Sequence, residues 1–156
     1  MEKIDEIDRS ILAELQRDAA RSTQEIASAV GLSQHPCWRR IKRLETAGII
    51  RGRVALLDPD LLGVGITVFV SVRTNQHNEE WLERFARGVM GIPEVVELYR
   101  MSGEIDYLLK VLVSDIGEYD RIYKELIDVV ELFDVSSSFA MERIKHTTAV
   151  PLREPR

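Results

Sequence analysis

The fold of the N-terminal third is decided by residues 22–44, which read STQEIASAVGLSQHPCWRRIKRL. Ser22 and Glu25 have the spacing of a capping box, so we predict a helix that begins there and ends at Gly31. Ser33 is placed to cap a second helix immediately afterwards. Two helices joined by a short turn that contains glycine form the helix-turn-helix pattern.

The second of these helices has two distinct faces. At 100° per residue, Cys37, Ile41 and Leu44 fall on one side, which we predict to be buried. The opposite side and its borders carry side chains that suit base edges and phosphates in the major groove of double-stranded DNA. The predicted DNA-contacting residues are Ser33, Gln34, His35, Trp38, Arg39, Arg40, Lys42 and Arg43. A charged helix face that meets only solvent is the alternative.

The flanks extend this unit in both directions. Isoleucines and leucines at helical spacing predict an amphipathic helix from about Asp5 to Arg17. After the basic helix, residues 51–57 predict a strand hairpin, or wing, that ends at Asp58. Cys37 lies on the apolar stripe, and we expect its thiol to behave as a small buried apolar group.

Charge is unevenly distributed along the 156 residues, whose net charge is −5. Residues 1–56 hold ten Lys/Arg against eight Asp/Glu, and residues 57–156 hold eleven against eighteen. A compact basic block in an acidic chain predicts two modules, one of which faces a polyanion. The apolar runs are too short to span a membrane and the N-terminus is too charged for a secretory signal, so we expect a cytoplasmic protein.

Metal and cofactor chemistry finds little support in the sequence. One cysteine and three scattered histidines provide neither a disulfide nor the spacing of metal ligands. No glycine-rich phosphate loop or nucleophile motif is present in the sequence. We therefore predict no metal, no cofactor and no catalytic residue.

From residue 66 onward the pattern changes to alternating strands and helices. The predicted elements are a strand at 66–73, a helix capped by Asn78, strands at 95–102 and 107–113, a helix from about Asp115, and a strand at 135–144. The order βαββαβ is the ferredoxin-like arrangement, an antiparallel sheet with both helices on one face. The other face would be bare and apolar, so this module should pair with a copy of itself.

The fold class predicted for the whole chain is therefore α+β, with a winged helix-turn-helix followed by a ferredoxin-like βαββαβ domain. We place the DNA-binding domain at residues 1–53, a linker strand and loop at 54–64, and the βαββαβ domain, which we expect to form oligomers, at 65–156. The family resemblance described next implies that this last domain also binds the effector.

Several segments occur in an order that is specific to one known family. They are 7–12 (IDRSIL), 31–33 (GLS) with 36–37 (PC), 43–45 (RLE) with 48–50 (GII), 55–59 (ALLDP) and 102–109 (SGEIDYLL). Together they resemble the leucine-responsive regulatory protein (Lrp)/AsnC family. The resemblance implies a transcription regulator that binds DNA and a small amino-acid effector, and that forms a homodimer assembling to an octamer or similar.

A narrower likeness concerns three further segments. These are 36–38 (PCW), 54–59 (VALLDP), and 137–142 (SSFAME) with the threonines at 147 and 148. They resemble the cysteine-responsive branch of that family, whose members control L-cysteine catabolism. The resemblance implies L-cysteine as the first candidate effector.

The effector, by the same resemblance, sits at an interface between dimers beside the hairpin loop at residues 102–106. Physical chemistry agrees, because Gly103 permits close backbone approach, neighbouring N–H groups can hold a carboxylate, and Asp106 can pair with an ammonium. The predicted effector-binding residues are Met101, Ser102, Gly103, Glu104, Asp106, Ser136 and Ser138. The family often has Asp where this chain has Glu104. An acidic hairpin and a solvated serine face without any ligand are the alternatives.

An enzyme of similar overall fold is the alternative function. Siroheme decarboxylases need histidine and arginine side chains around a tetrapyrrole propionate. The C-terminal half offers only His77, His146 and, near the hairpin, Arg100. A stand-alone amino-acid-binding module is a third possibility, against which the basic helix argues. The sequence favours a DNA-binding regulator that is not an enzyme.

Overall fold

A computed structural model describes residues 4–76, 78–129 and 132–153, and the chain divides into two compact units. One unit contains the residues up to 56 together with the tail from residue 145, and the other contains residues 57–144. This division differs from the predicted one, which assigned residues 65–156 to a single C-terminal domain. The tail is joined to the N-terminal unit at Gln16, whose side-chain amide exchanges two hydrogen bonds, of 3.1 and 2.6 Å, with the backbone of Val150.

The N-terminal unit contains three helices: α1 (Glu6–Arg17), α2 (Thr23–Ala29) and α3 (Gln34–Thr46). The capping box of Ser22 and Glu25 forms as predicted at the start of α2. Ser33 occupies the N-cap position of α3 but makes no side-chain capping bond, so that prediction was wrong. Gly31 has a φ of +71°, a conformation that favours glycine, and it makes the turn between α2 and α3 possible.

The core of this unit lies where the three helices meet. Apolar side chains from all of them are buried there, among them Ile11, Ile26, Cys37 and Ile41. The buried side of α3 is therefore the one that its helical periodicity predicted, and its opposite face remains exposed.

The predicted wing does not form as strands. Residues 51–58 contain neither strand nor helix, and the leucines at 56 and 57 are each 71% exposed. A strand needs a hydrogen-bonded partner, and this short segment contains no turn that would fold it back on itself.

The C-terminal unit has the predicted ferredoxin-like topology. Its elements are β1 (Ile66–Arg73), α4 (Glu79–Met90), β2 (Val95–Arg100), β3 (Tyr107–Val113), α5 (Ile116–Val129) and β4 (Asp134–Phe139). The sheet order is β2-β3-β1-β4 and every neighbouring pair is antiparallel. β4 ends at Phe139 and not near residue 144, because Phe139 already pairs with Val68 and little of β1 remains for later residues to pair with.

One face of the sheet packs on both helices. Val70 and Leu109 are buried opposite each other on that face, beneath Phe85 of α4 and Ile122 of α5. Ile116, in the first turn of α5, is 71% exposed and does not join this core.

We call the other sheet face the open face. The sequence predicted an apolar surface there, but the face carries both apolar and charged side chains. Phe69 and Tyr99 are 38% and 50% exposed on it. A 2.9 Å ion pair between Lys110 and Glu97 lies beside them, because β3 and β2 bring these two residues into register. None of the helices in the described ranges has the length and apolar character needed to cross a bilayer.

Candidate nucleic-acid and effector sites

The exposed face of α3 carries most of the predicted DNA-contacting residues. Gln34, His35, Trp38, Arg39 and Lys42 are all exposed, and Ser33 is exposed directly before the helix. Trp38 and its basic neighbours line an open groove of about 560 Å³. The stripe formed by Cys37, Ile41 and Leu44 anchors the helix on the other side, so these polar residues all point away from the core.

The aromatic residues of this face are in contact with each other. The rings of His35 and Trp38 stack with centroids 6.0 Å apart and an interplanar angle of 20°. They are three residues apart on α3, a spacing that places side chains one above the other. Sequence reasoning placed both on the DNA-facing side but did not predict their stacking.

Two of the predicted DNA contacts instead connect α3 to α1. Arg40 Nη1 lies 2.7 Å from Asp5 Oδ2 and 2.8 Å from Asp8 Oδ1, and Arg43 contacts the other carboxylate oxygen of Asp8. The Asp8 side chain is completely buried. Asp8 also accepts a 3.1 Å bond from the backbone N–H of Asp5. Arg40 and Arg43 therefore help to fix the recognition helix on the body of the domain.

This cluster has a marked electrostatic effect. The pKa of Asp5 is lowered to about 2, because its carboxylate accepts the backbone N–H of Asp8 and the guanidinium of Arg40. The carboxylates of Asp5 and Asp8 raise the pKa of the Arg40 guanidinium above its ordinary value. Asp8 recurs at helical spacing with the apolar residues of α1, and that position on the buried stripe was the signal that could have revealed the cluster.

The remaining cations of this face, Lys42 and Arg39, differ in whether they form an ion pair within the chain. Lys42 pairs with Glu45 at 2.7 Å, which also accepts Arg53 at 3.1 Å. Arg39 has no ion pair within the described part of the chain. Its guanidinium is therefore available to a ligand in the groove.

The hairpin at residues 102–106 joins β2 to β3 in the C-terminal unit. Gly103 has a φ of +126°, which a residue with a side chain adopts only under strain, and the loop around it is exposed. Asp106 closes the hairpin: its backbone carbonyl accepts the N–H of Met101 at 2.8 Å, and its N–H donates to Val72 at 3.0 Å. The hairpin connection between the two strands was predicted from the sequence, and the structure confirms it.

The Asp106 carboxylate has a structural partner that the sequence did not reveal. Its Oδ2 accepts a 2.8 Å bond from the backbone N–H of Thr74, just after β1. The other carboxylate oxygen makes no hydrogen bond within the described residues. One oxygen thus fixes the loop to β1, and the second is left for an external donor.

The two predicted serines lie on the open face and not in the hairpin. Ser136 pairs with Ser71 and Ser138 pairs with Phe69, so both point away from the helices. Neither forms a hydrogen bond to the hairpin in the described residues. Ser137, between them, faces the other way and contacts the Tyr119 hydroxyl, whose pKa is raised by burial.

Each of the two units matches a domain of a known protein family. Residues 4–45 match the AsnC-type helix-turn-helix domain, and residues 67–150 match the Lrp/AsnC ligand binding domain. The chain belongs to the Lrp/AsnC family. The family resemblance and the α+β fold class predicted from the sequence are thereby confirmed, although the wing strands are not.

Individual relatives match this Lrp/AsnC chain over almost its whole length. The Glutamate uptake regulatory protein of Zymomonas mobilis is 51% identical over 152 residues, which are 97% of this chain and 93% of that protein. The DNA-binding transcriptional activator DecR of Escherichia coli K12 is 51% identical over 150 residues, which are 96% and 99% of the two chains. The crystal structure of a Neisseria meningitidis transcriptional regulator in complex with L-Met has a TM-score of 0.90 at 35% identity, and the match covers 96% and 97% of the two chains.

The Lrp/AsnC chain is thus a transcription regulator with a DNA-binding helix-turn-helix. Of the residues named for an enzyme of similar fold, His146 lies exposed in the tail and Arg100 lies at the end of β2, whereas His77 lies outside the described residues. The described part of the chain holds no group of three or more His, Cys, Asp or Glu that could bind a metal.

Proposed function

We propose that this regulator binds duplex DNA through α3 as a homodimer, and that a free amino acid bound beside the 102–106 hairpin changes its DNA occupancy or its oligomeric state. One observation carries the proposal. One chain contains the exposed basic helix α3 and, in a separate unit, a hairpin at residues 102–106 that ends at Asp106. One oxygen of the Asp106 carboxylate accepts the Thr74 N–H, and the other accepts no hydrogen bond from the described residues.

The DNA half of the proposal assigns different roles to the basic residues. Arg39 and Lys42 face outward, and Gln34 is exposed in the first turn of α3; these side chains supply the donors that base edges and phosphates accept. Arg40 and Arg43 hold α3 in place through Asp8 and contribute to DNA binding by positioning it. In a homodimer, two such helices would meet half-sites about one helical turn apart, or a multiple of it.

The effector half rests on the chemistry of a zwitterion. The backbone N–H groups around Gly103 and Glu104 suit the α-carboxylate, since the left-handed glycine conformation presents backbone without a side chain. The second oxygen of Asp106 suits the α-ammonium, to which it would form a charge-assisted hydrogen bond. Ser136 and Ser138 lie on the open face of β4, and β1 stands between that strand and the β2–β3 hairpin, so we assign them to an effector held by a neighbouring subunit.

L-cysteine is the first candidate effector, because the segments at 36–38, 54–59 and 137–142 resemble the cysteine-responsive branch. The relatives suggest two competitors for that place. One is named for glutamate uptake and another was crystallised with L-Met. The experiment must therefore compare all three amino acids.

Isothermal titration calorimetry of wild type and Asp106→Asn is the decisive test. Asparagine can still accept the Thr74 N–H, so the hairpin keeps its shape while the charge that binds the ammonium disappears. Losing a charge-assisted bond costs about 1.5–3 kcal/mol, so we expect effector affinity to fall roughly ten- to a hundred-fold. Asp120→Asn, the same change on the exposed surface of α5, should leave affinity unaltered.

The outcomes of that titration separate the parts of the proposal. Equal affinities in wild type and Asp106→Asn would reject the hairpin as the site. Binding of L-glutamate or L-methionine without L-cysteine would reject the cysteine assignment and keep the site. No binding of any of the three would reject all three as effectors, and no binding of any of the twenty amino acids would reject an amino-acid effector.

The proposal includes three further statements. Homodimers form through the open face and assemble to an octamer or similar, and the protein works in the compartment that holds its DNA, which we propose to be the cytoplasm. The chain acts by binding and performs no catalytic step. Anaerobic incubation with siroheme tests the last statement, because conversion of the tetrapyrrole would contradict it.

A further inference from the structure

A large apolar side chain stands on the otherwise polar face of α3. Trp38 is 46% exposed, whereas Cys37 and Ile41 of the same helix are 0% and 3% exposed. Exposed indole is unfavourable in water, and its burial in a complex would contribute binding free energy in proportion to the apolar area covered. The position of Trp38 therefore calls for a partner with an apolar group.

The indole of Trp38 has an aromatic neighbour on the same helix, with ring centroids 6.0 Å apart. His35, one turn earlier, stacks on it with the ring planes only 20° apart. Helical side chains lean toward the N-terminus of their helix, so this pair covers the first turns of α3. In helix-turn-helix proteins, those are the turns whose side chains reach base edges in the major groove.

The surroundings of Trp38 specify the kind of group it would meet. It lines the same groove as Arg39 and Lys42, whose cations would keep the phosphate backbone close on either side. The apolar group that a base pair presents in the major groove is the C5-methyl of thymine. Insertion of the ring between base pairs is less suitable, because wedge side chains of that kind act from the minor groove.

We propose that Trp38, positioned by His35, contacts the C5-methyl group of a thymine in the major groove and so selects thymine at a fixed position of each half-site. This inference rests on the DNA-binding role proposed above. Trp38 is the specificity-determining residue, and His35 is a positioning residue that limits where the indole points.

The experiment begins with a binding site selected from a pool of random duplexes by the full-length wild-type protein. Each thymine of that site is then replaced in turn by deoxyuridine, which removes only the methyl group. Affinities are measured by fluorescence anisotropy at one salt concentration, since phosphate contacts make every affinity salt-dependent. We expect one thymine per half-site to matter, with about a fourfold loss in affinity, which corresponds to about 0.8 kcal/mol for one apolar carbon.

Variants connect that loss to the indole. Trp38→Ala should bind thymine and deoxyuridine duplexes equally, with its fold verified by an unchanged thermal melt. Arg39→Ala is the matched control: it should bind both duplexes more weakly but keep the fourfold ratio. His35→Ala should reduce the ratio, and His35→Phe, which retains an aromatic ring against the indole, should restore it.

Two results would overturn the inference while leaving DNA binding intact. One is a wild-type protein that is indifferent to every replacement, and the other is a Trp38→Ala variant that keeps the same ratio at the same thymine. If wild type selects no duplex at all, the DNA-binding role itself fails and this inference fails with it.

Discussion

Removal of the buried Asp8 carboxylate should destabilise the N-terminal unit strongly. In the native state this carboxylate accepts the Asp5 N–H and contacts both Arg40 and Arg43, with its own side chain fully out of water. In Asp8→Ala the two arginines lose their common acceptor.

The size of the effect follows from what remains after the substitution. Breaking a buried ion pair by removing one partner costs about 3–5 kcal/mol when the other charge is left buried. Here Arg40 keeps its bond to Asp5, and the Arg40 and Arg43 side chains are 27% and 41% exposed, so both can be hydrated. We therefore expect the lower end, about 3 kcal/mol, which for a unit of this size lowers Tm by roughly 12–24 °C.

Thermal unfolding followed by circular dichroism is the assay, and Glu6→Ala is the matched control. Glu6 has the same charge type in the first turn of the same helix but is exposed, so its loss should cost less than about 1 kcal/mol. If Asp8→Ala melted within a few degrees of Glu6→Ala, the assignment of a positioning role to the cluster would be refuted.

Three further predictions concern other parts of the chain. Because the pKa of Asp5 is lowered from 3.8 to about 2, its charged form stabilises the fold above about pH 4, and this contribution is lost as the pH falls toward 2. Asp5→Asn, which still caps α1, should therefore lose less Tm than wild type between pH 4 and pH 2. Gly88→Ala should lower Tm, because a Cβ at this position would lie 2.3 Å from Val129 Cγ1, and the overpacking cost of about 1–3 kcal/mol exceeds the roughly 1 kcal/mol gained in helix propensity. Adding Val129→Ala should restore Tm, and a Tm that rises with Gly88→Ala alone would contradict the close packing of these two residues. Phe69→Asp, on the open face, should shift the sedimentation coefficient toward monomer with the fold intact, and an unchanged assembly would exclude this face as the dimer contact.

Local signals in the sequence were sufficient for most of the secondary structure. The capping box at Ser22, the glycine turn at Gly31 and the alternation along β1 each depend on residues close together in the chain, and each prediction was confirmed. The buried face of α3 followed from helical geometry in the same way. Near neighbours determine these features, so the sequence displays them directly.

Features that depend on distant partners could not be predicted in the same way. Asp8 meets Arg40 across 32 residues, and Asp106 meets Thr74 across the same separation, so neither contact leaves a local pattern. The early end of β4 depends on where β1 begins, because Phe139 pairs with Val68 near the start of that antiparallel strand. The wing strands do not form because residues 51–58 have no partner strand. For the candidate sites, the residue types were predictable, whereas the division between ligand contacts and structural contacts required the fold.

The central claim is that an amino acid bound at the 102–106 hairpin controls DNA binding by α3. The most direct test is a titration of the selected DNA duplex with wild type and Asp106→Asn, each without L-cysteine and with L-cysteine at about its dissociation constant for wild type. We predict that L-cysteine changes the midpoint or the steepness of the wild-type DNA-binding curve. Without L-cysteine, Asp106→Asn should bind DNA like wild type, and adding L-cysteine should change its curve much less. Curves that respond to L-cysteine identically in the two proteins would contradict the account.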